Sequence, residues 1–185
     1  MLAKIPNFLT ASRVIVIPFI LISMLFDESA FSHRIAAILF LYACITDFLD
    51  GYIARVYSIQ SEFGKWLDPI ADKLLVGSVI LVLVHYNRVD LFPSIAIICR
   101  EILVSGLREF LAGLRISLPV SKLAKVKTFV QMLSIFVLVL ADKGSGIPFT
   151  NLIGRISLWI AACLTLFTGY AYLRASYQYF FKDKN

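Results

Sequence analysis

The chain has 185 residues, 59% of them hydrophobic and 16% charged, with a mean hydropathy of +0.83. These values exclude an ordinary soluble domain and imply an all-α integral membrane protein. The net charge of +6 and pI near 9.3 do not argue for nucleic acid, because the basic residues stand beside apolar segments, where they serve as topology signals and anion ligands.

A hydrocarbon core takes about 20 helical residues per crossing. After a short interfacial start at 1–7, apolar spans fall near 8–27, 33–56, 65–86, 92–114, 122–141 and 152–176. Residues 1–185 therefore read as one membrane domain with six transmembrane helices. Breakers mark the boundaries: Pro6 and Asn7, the polar stretch 27–33, 87–90, Pro93, Pro119, and GSGIP at 144–148. Lys4 with the apolar run 14–26 has the outline of a signal peptide. However, DESAFSHR after the run is a poor small-residue cleavage site and five more apolar segments follow, so 8–27 is read as the first span.

In that span, IPNFLTASR at 5–13 spaces Asn7, Thr10 and Arg13 three residues apart, on one helical face. Either they cap and anchor the helix, or they touch a ligand. Cys44, Cys99 and Cys163 lie in apolar stretches without CxxC spacing and read as small buried hydrophobes. His33 and His85 fall at the far boundary and read as structural.

Residues 47–72, DFLDGYIARVYSIQSEFGKWLDPIAD, bring four aspartates into apolar sequence. On insertion scales a mid-membrane carboxylate costs roughly 2.5 to 3.5 kcal/mol, so these acids must face one another, water or cations. Asp47 and Asp50 stand i, i+3, while Gly64, Asp68 and Asp72 follow i, i+4 steps, so two helices would present two facing acidic stripes. Such a cage of hard oxygen donors, without a His or Cys cluster, suits two divalent cations, Mg2+ or Mn2+. A diphosphate is the natural partner of two such ions. Gly51 and Ala54 would let a ligand approach the backbone and Arg55 would pair with a diphosphate; alternatively they form a packing groove and a snorkelling boundary residue. An ion-pair network with Lys65, Lys73 and Arg55 is the architectural alternative for the acids. Ser61, in the turn expected at 57–63, either touches a nucleotide or caps the third span.

The fourth and fifth spans carry Arg100, Arg108 and Arg115, then Lys122, Lys125 and Lys127. The arginines fall near one helical face and suit an acceptor phosphate, Arg108 and Lys127 foremost, while Arg100 has Glu101 and Glu109 as alternative partners. Basic residues gather at one set of span ends, which places both termini and the acids on the cytoplasmic side of the inner (cytoplasmic) membrane. Asp50 and Asp68 then lie within roughly two helical turns of that surface, at headgroup depth.

The pattern filled by Asp47, Asp50, Gly51, Ala54, Arg55, Gly64, Asp68 and Asp72 resembles the signature of the CDP-alcohol phosphatidyltransferases. The resemblance implies that Asp47, Asp50, Asp68 and Asp72 bind metal, and that Asp72 also deprotonates the acceptor hydroxyl. PNFLTASR, SEFGKWLDPIADKLLV and REILVSGLREFL are similar to phrases in the branch of the family that makes phosphatidylglycerol phosphate. That implies transfer from CDP-diacylglycerol to sn-glycerol 3-phosphate with release of CMP, a homodimer, and contact of Asn7, Thr10 and Arg13 with the CDP-lipid. Another acceptor, such as inositol phosphate, is the alternative within the family. A divalent-cation transporter is the alternative outside it, though it would expect acids along a path through both leaflets.

Overall fold

The computed structural model describes residues 5–26, 29–56, 62–114, 116 and 122–182, without the side chains of residues 5–7, 54–56, 62–63, 65–66 and 178–182. Six helices follow in order: α1 (Ile5–Phe26), α2 (Ala30–Val56), α3 (Glu62–His85), α4 (Leu91–Gly113), α5 (Lys122–Ser145) and α6 (Thr150–Lys182). A helix stands at each of the six expected spans. Residues 5–7 belong to α1 and not to a separate interfacial segment, while residues 1–4, and 57–61 with Ser61, lie outside the described residues.

Four stretches are long and apolar enough to cross a membrane: Phe8–Phe26, Ala30–Ile53, Lys122–Ser145 and Thr150–Tyr177. The other two helices carry charges within their apolar sequence, Asp68, Asp72 and Lys73 on α3 and Arg100, Glu101, Arg108 and Glu109 on α4.

The helices pack as a ring: α1 on α2, α2 on α5, α5 on α6, α6 on α4, α4 on α3, and α3 back on α1, with α3 also touching α5 across the middle. Apolar residues at helical spacing fill the interior. Ala36, Phe40 and Ala43 of α2 meet Val76, Ile80 and Leu83 of α3 and Ile135 and Leu138 of α5 in one buried cluster. The outward faces are just as apolar, with Phe19, Ile38, Leu81, Ile102, Leu133 and Ile160 all exposed. Water would penalise such a surface; a lipid environment does not. Cys99 and Cys163 lie on these exposed faces and Cys44 is half-buried, so the expectation of three buried cysteines is corrected. A cysteine is apolar enough to face lipid, and hydropathy alone does not separate that position from a core one.

Lipid gives helices little hydrophobic reason to associate, so close approach rests on small residues. Gly154 of α6 lies against α5, where an added Cβ would stand 2.7 Å from Leu138 Cγ. Gly154→Ala is expected to cost about 1–3 kcal/mol through overpacking, read as a lower thermal midpoint in detergent. An unchanged midpoint would mean that α5 and α6 part locally at no cost.

The end of the ring formed by the C-termini of α3 and α5 and the N-termini of α4 and α6 is closed by polar contacts. Arg88 donates to His33 Nε2 (2.5 Å), whose Nδ1 is 2.9 Å from the Ser29 carbonyl, and Arg34 Nε donates to the Gly144 carbonyl at 2.8 Å. His33 is thus structural, as expected. Asp90 accepts from Arg155 Nε (3.0 Å) and Trp159 Nε1 (2.8 Å). The Arg155 hydrogen bonds, then that of Trp159, hold its carboxyl down at about 2. Asp142 accepts from the Asn151 backbone at 2.9 Å and so caps the first turn of α6. Helix α5 breaks at Ala141 (φ 57, ψ 178), close to the expected end of the fifth span, and continues to Ser145.

Candidate active site

The opposite end of the ring collects the residues singled out by their chemistry. Asp47 and Asp50 lie in the last turns of α2, Asp68 and Asp72 in the first half of α3, Thr10 and Arg13 in the first half of α1. Helix α1 packs on both acidic helices, so its polar face lies between them. Thr10 and Arg13 are fully buried there. Thr10 Oγ1 donates to Asp68 Oδ1 at 2.5 Å and reaches Asp50 Oδ2 at 3.4 Å. The Arg13 guanidinium bridges α2's pair, with NH1 2.6 Å from Asp47 Oδ1 and NH2 hydrogen-bonded to Asp50.

The expected contact of Thr10 and Arg13 with a CDP-lipid is therefore joined by a direct contact with the acids. A buried guanidinium requires a carboxylate, and the acids on α2 are the ones within its reach. The facing stripes of acids do not meet as a closed cage: among the described residues no three His, Cys, Asp or Glu side chains are grouped to hold one ion. Between Asp47 and Asp50 the balancing charge is the Arg13 guanidinium. Of the alternative ion-pair network, Lys65 and Arg55 have side chains outside the described ones; among the described residues Lys73 shows no ion pair with the acids, and its Nζ donates to the Pro69 carbonyl at 2.8 Å.

Asp72 differs from the other acids. Among the described residues it makes no hydrogen bond or ion pair, whereas Asp47, Asp50 and Asp68 are each engaged by Arg13 or Thr10. It lines a cavity of about 270 Å³ together with Asp47, Asp68, Pro69, Lys73, Arg100, Glu101, Val104, Ser105 and Arg108. The wall is bipolar: acids from α2 and α3 on one side, Arg100 and Arg108 from α4 on the other. An oxygen-only donor set of Asp47, Asp68 and Asp72 has the chemistry of a hard divalent-cation site. Asp50, nearly buried, faces Arg13 and does not line the cavity.

On the basic side, Arg100 and Arg108 reach the cavity as expected. The Arg108 guanidinium carbon lies 5.9 Å from the Tyr172 ring centroid, and Arg100 NH2 is 3.4 Å from Thr168 Oγ1. Of the two acids considered for Arg100, Glu101 is the partner, at 3.5 Å. Lys127 is 1% exposed and ion-paired to Glu101, off the cavity wall, while Lys122 and Lys125 are exposed and also off it. Sequence spacing could not separate these lysines, because a basic loop and a basic pocket look alike in a sequence. Gly51 is half-buried and Gly64 buried; the side chains of Asn7, Ala54 and Arg55 lie outside the described ones.

Three wall residues had no place in the expected site as ligands: Lys73, Glu101 and Ser105. Their signal was present, since 101, 105 and 108 stand i, i+4, i+7 along α4 and form one polar stripe in apolar sequence. Beside this cavity, an apolar groove of about 410 Å³ runs between α3 and α4 along Ile70, Leu74, Gly77, Leu81, Ile98 and Ile102, sharing Lys73 and Glu101 with it.

The family model described as CDP-alcohol phosphatidyltransferase matches residues 3–167. The chain is 52% identical over 177 residues to a Rickettsia felis protein named CDP-diacylglycerol--glycerol-3-phosphate 3-phosphatidyltransferase, covering 96% of this chain and 97% of that one. Proteins of the same name from Bacillus subtilis and Cereibacter sphaeroides are 36% and 33% identical, covering 95% and 98% of this chain and 96% and 99% of their own.

Proposed function

Because the chain belongs to the CDP-alcohol phosphatidyltransferase family, we propose that it transfers the phosphatidyl group of CDP-diacylglycerol to sn-glycerol 3-phosphate, giving phosphatidylglycerol phosphate and CMP. The observation that carries this reading is the bipolar cavity, in which Asp47, Asp68 and Asp72 face Arg100 and Arg108. A lipid diphosphate with its counter-ions suits the acidic side. A phosphate on a soluble alcohol suits the basic side, where planar guanidinium donors match its oxygens. The adjoining apolar groove offers surface for an acyl chain beside the diphosphate.

Asp47, Asp50, Asp68 and Asp72 are the residues that would hold two divalent cations, Mg2+ or Mn2+. When bound, these cations neutralise the diphosphate and stabilise the oxygen that leaves with CMP. The residues of the chain do the rest. Asp72, without a hydrogen bond or ion pair among the described residues, takes the proton of the acceptor hydroxyl. The hydroxyl oxygen then bonds to the β-phosphorus as the bond from that phosphorus to the bridging oxygen breaks, and CMP departs with the electron pair. Arg100 and Arg108 hold the acceptor's phosphate, which fixes the hydroxyl near its target. Thr10 orients Asp68. Gathering of basic residues at this end of the helices supports placing it on the cytoplasmic side of the inner membrane. The family resemblance supports a homodimer.

A panel of radiolabelled acceptors offered to the purified protein with CDP-diacylglycerol tests the assignment. Label should pass from glycerol 3-phosphate into lipid with stoichiometric CMP, and inositol phosphate should give none. Absence of transfer to glycerol 3-phosphate would sink it.

A further inference from the structure

Glu101 is an anomaly in an anion-binding wall, a carboxylate set among Lys73, Arg100 and Arg108. Its partners explain it. A single oxygen, Oε1, pairs with Lys127 Nζ from behind the wall and lies 3.5 Å from Arg100 NH1 at the wall. Lys127 is itself 1% exposed and does not line the cavity. Arg100 is gripped on its other side as well: its NH2 reaches Thr168 Oγ1 at 3.4 Å, and its Cγ lies where a Cβ on Gly169 would approach to 3.0 Å. Its Nε is buried and, among the described residues, has no hydrogen-bond partner. The guanidinium is thus flanked by Glu101 on one side and by Thr168 and Gly169 on the other.

We propose that Glu101 is a positioning residue for the acceptor: anchored by Lys127, it holds Arg100 at the cavity wall, and Lys127 acts on the acceptor's phosphate only through Glu101. This rests on the phosphatidyl-transfer reading above. The electrostatics favour such a unit. Without the carboxylate, Arg100 and Lys127 would repel each other, a buried lysine would lose its counter-ion, and a flexible arginine would swing toward water. Placing one acid among the cations gives up some attraction for the incoming phosphate. In return it removes the entropy of ordering Arg100 at each binding event.

The test is steady-state kinetics of the full chain in mixed micelles, varying each substrate in turn. Glu101→Gln is expected to raise KM for glycerol 3-phosphate about tenfold, as for the loss of one well-placed charged contact, with KM for CDP-diacylglycerol within about twofold of the parent. Lys127→Met should do the same, and the double variant should be no worse than either single one, because the two residues form one unit. Lys127→Met combined with Arg108→Ala should multiply. The double variant Glu101→Gln/Lys127→Met leaves no buried lysine without its counter-ion, and only Arg100, at the cavity wall, loses its carboxylate, so it remains informative where a single variant fails to fold; it too should show the raised acceptor KM. The proposal is overturned by an acceptor KM unmoved in Glu101→Gln or in the double variant. It is equally overturned if both substrates' KM rise together, or if Glu101→Gln and Lys127→Met multiply, as two direct phosphate ligands would. Parent protein that does not transfer to glycerol 3-phosphate would instead sink the assigned reaction, so the two failures are distinct.

Discussion

Asp72→Asn is expected to lower kcat on the order of 10²- to 10⁴-fold, the range for loss of a positioned general base, while CDP-diacylglycerol still binds within a few-fold of the parent affinity. The reasoning starts from hydrogen bonds. Asp47 and Asp50 are tied to Arg13, and Asp68 accepts from Thr10, so each has its lone pairs directed at a fixed neighbour. Asp72 lines the same cavity with no such partner among the described residues. Of the four acids, it is therefore the one whose oxygen is open to a proton from a bound hydroxyl. Asparagine keeps the shape and can still donate or accept a hydrogen bond, but it takes up no proton. Initial rates with saturating CDP-lipid, set beside binding of the CDP-lipid to the same variant, separate the two effects. If binding and turnover fell in parallel, Asp72 would be holding the diphosphate and not accepting the proton.

Removal of divalent cations by a chelator is expected to abolish transfer, by on the order of 10³-fold, since metal stabilisation of phosphoryl charge is worth several kcal/mol and each 1.4 kcal/mol is tenfold in rate. Addition of Mg2+ or Mn2+ should restore it, and Zn2+ should serve poorly with an all-carboxylate donor set. Arg13 gives this prediction a structural handle. The guanidinium balances Asp47 and Asp50 from inside the bundle, so these two acids would share their charge between Arg13 and any bound cation. Asp47→Asn should accordingly raise the cation concentration needed for half-maximal rate. Full activity after exhaustive chelation would rule out the two-cation assignment.

Much of the molecule was legible in the chain itself. Six apolar stretches gave six helices because a lipid-facing segment must satisfy its own backbone, which ties hydropathy to helix directly. The aspartate spacing marked the end of the bundle where the candidate site lies, because charges inside apolar helices are too costly to be incidental. Where sequence reading stopped short, the missing information was which helices are neighbours. Asp50 and Asp68 do converge, but on the Thr10 hydroxyl of α1, at 3.4 and 2.5 Å, a third helix that the spacing of the acids does not announce. Thr10 and Arg13 were correctly grouped on one face, but their partners are carboxylates more than 30 positions away, which no local spacing encodes. Lys122, Lys125 and Lys127 are alike as sequence; only the rotation of α5 buries Lys127 and leaves the other two outside.

The sequence by itself determined that this is an all-α membrane protein, because hydropathy is a property of each segment alone; the spacing of residues 47–72 carried the resemblance to the CDP-alcohol phosphatidyltransferases, and the energetic penalty of intramembrane charge singled that stretch out as the candidate site. The tertiary structure decided which acid is left open, which cation backs which carboxylate, and that Glu101 stands between Lys127 and the cavity. Those are matters of helix neighbourhood and rotation, set by packing of small residues such as Gly154 and Gly169 against partners far along the chain.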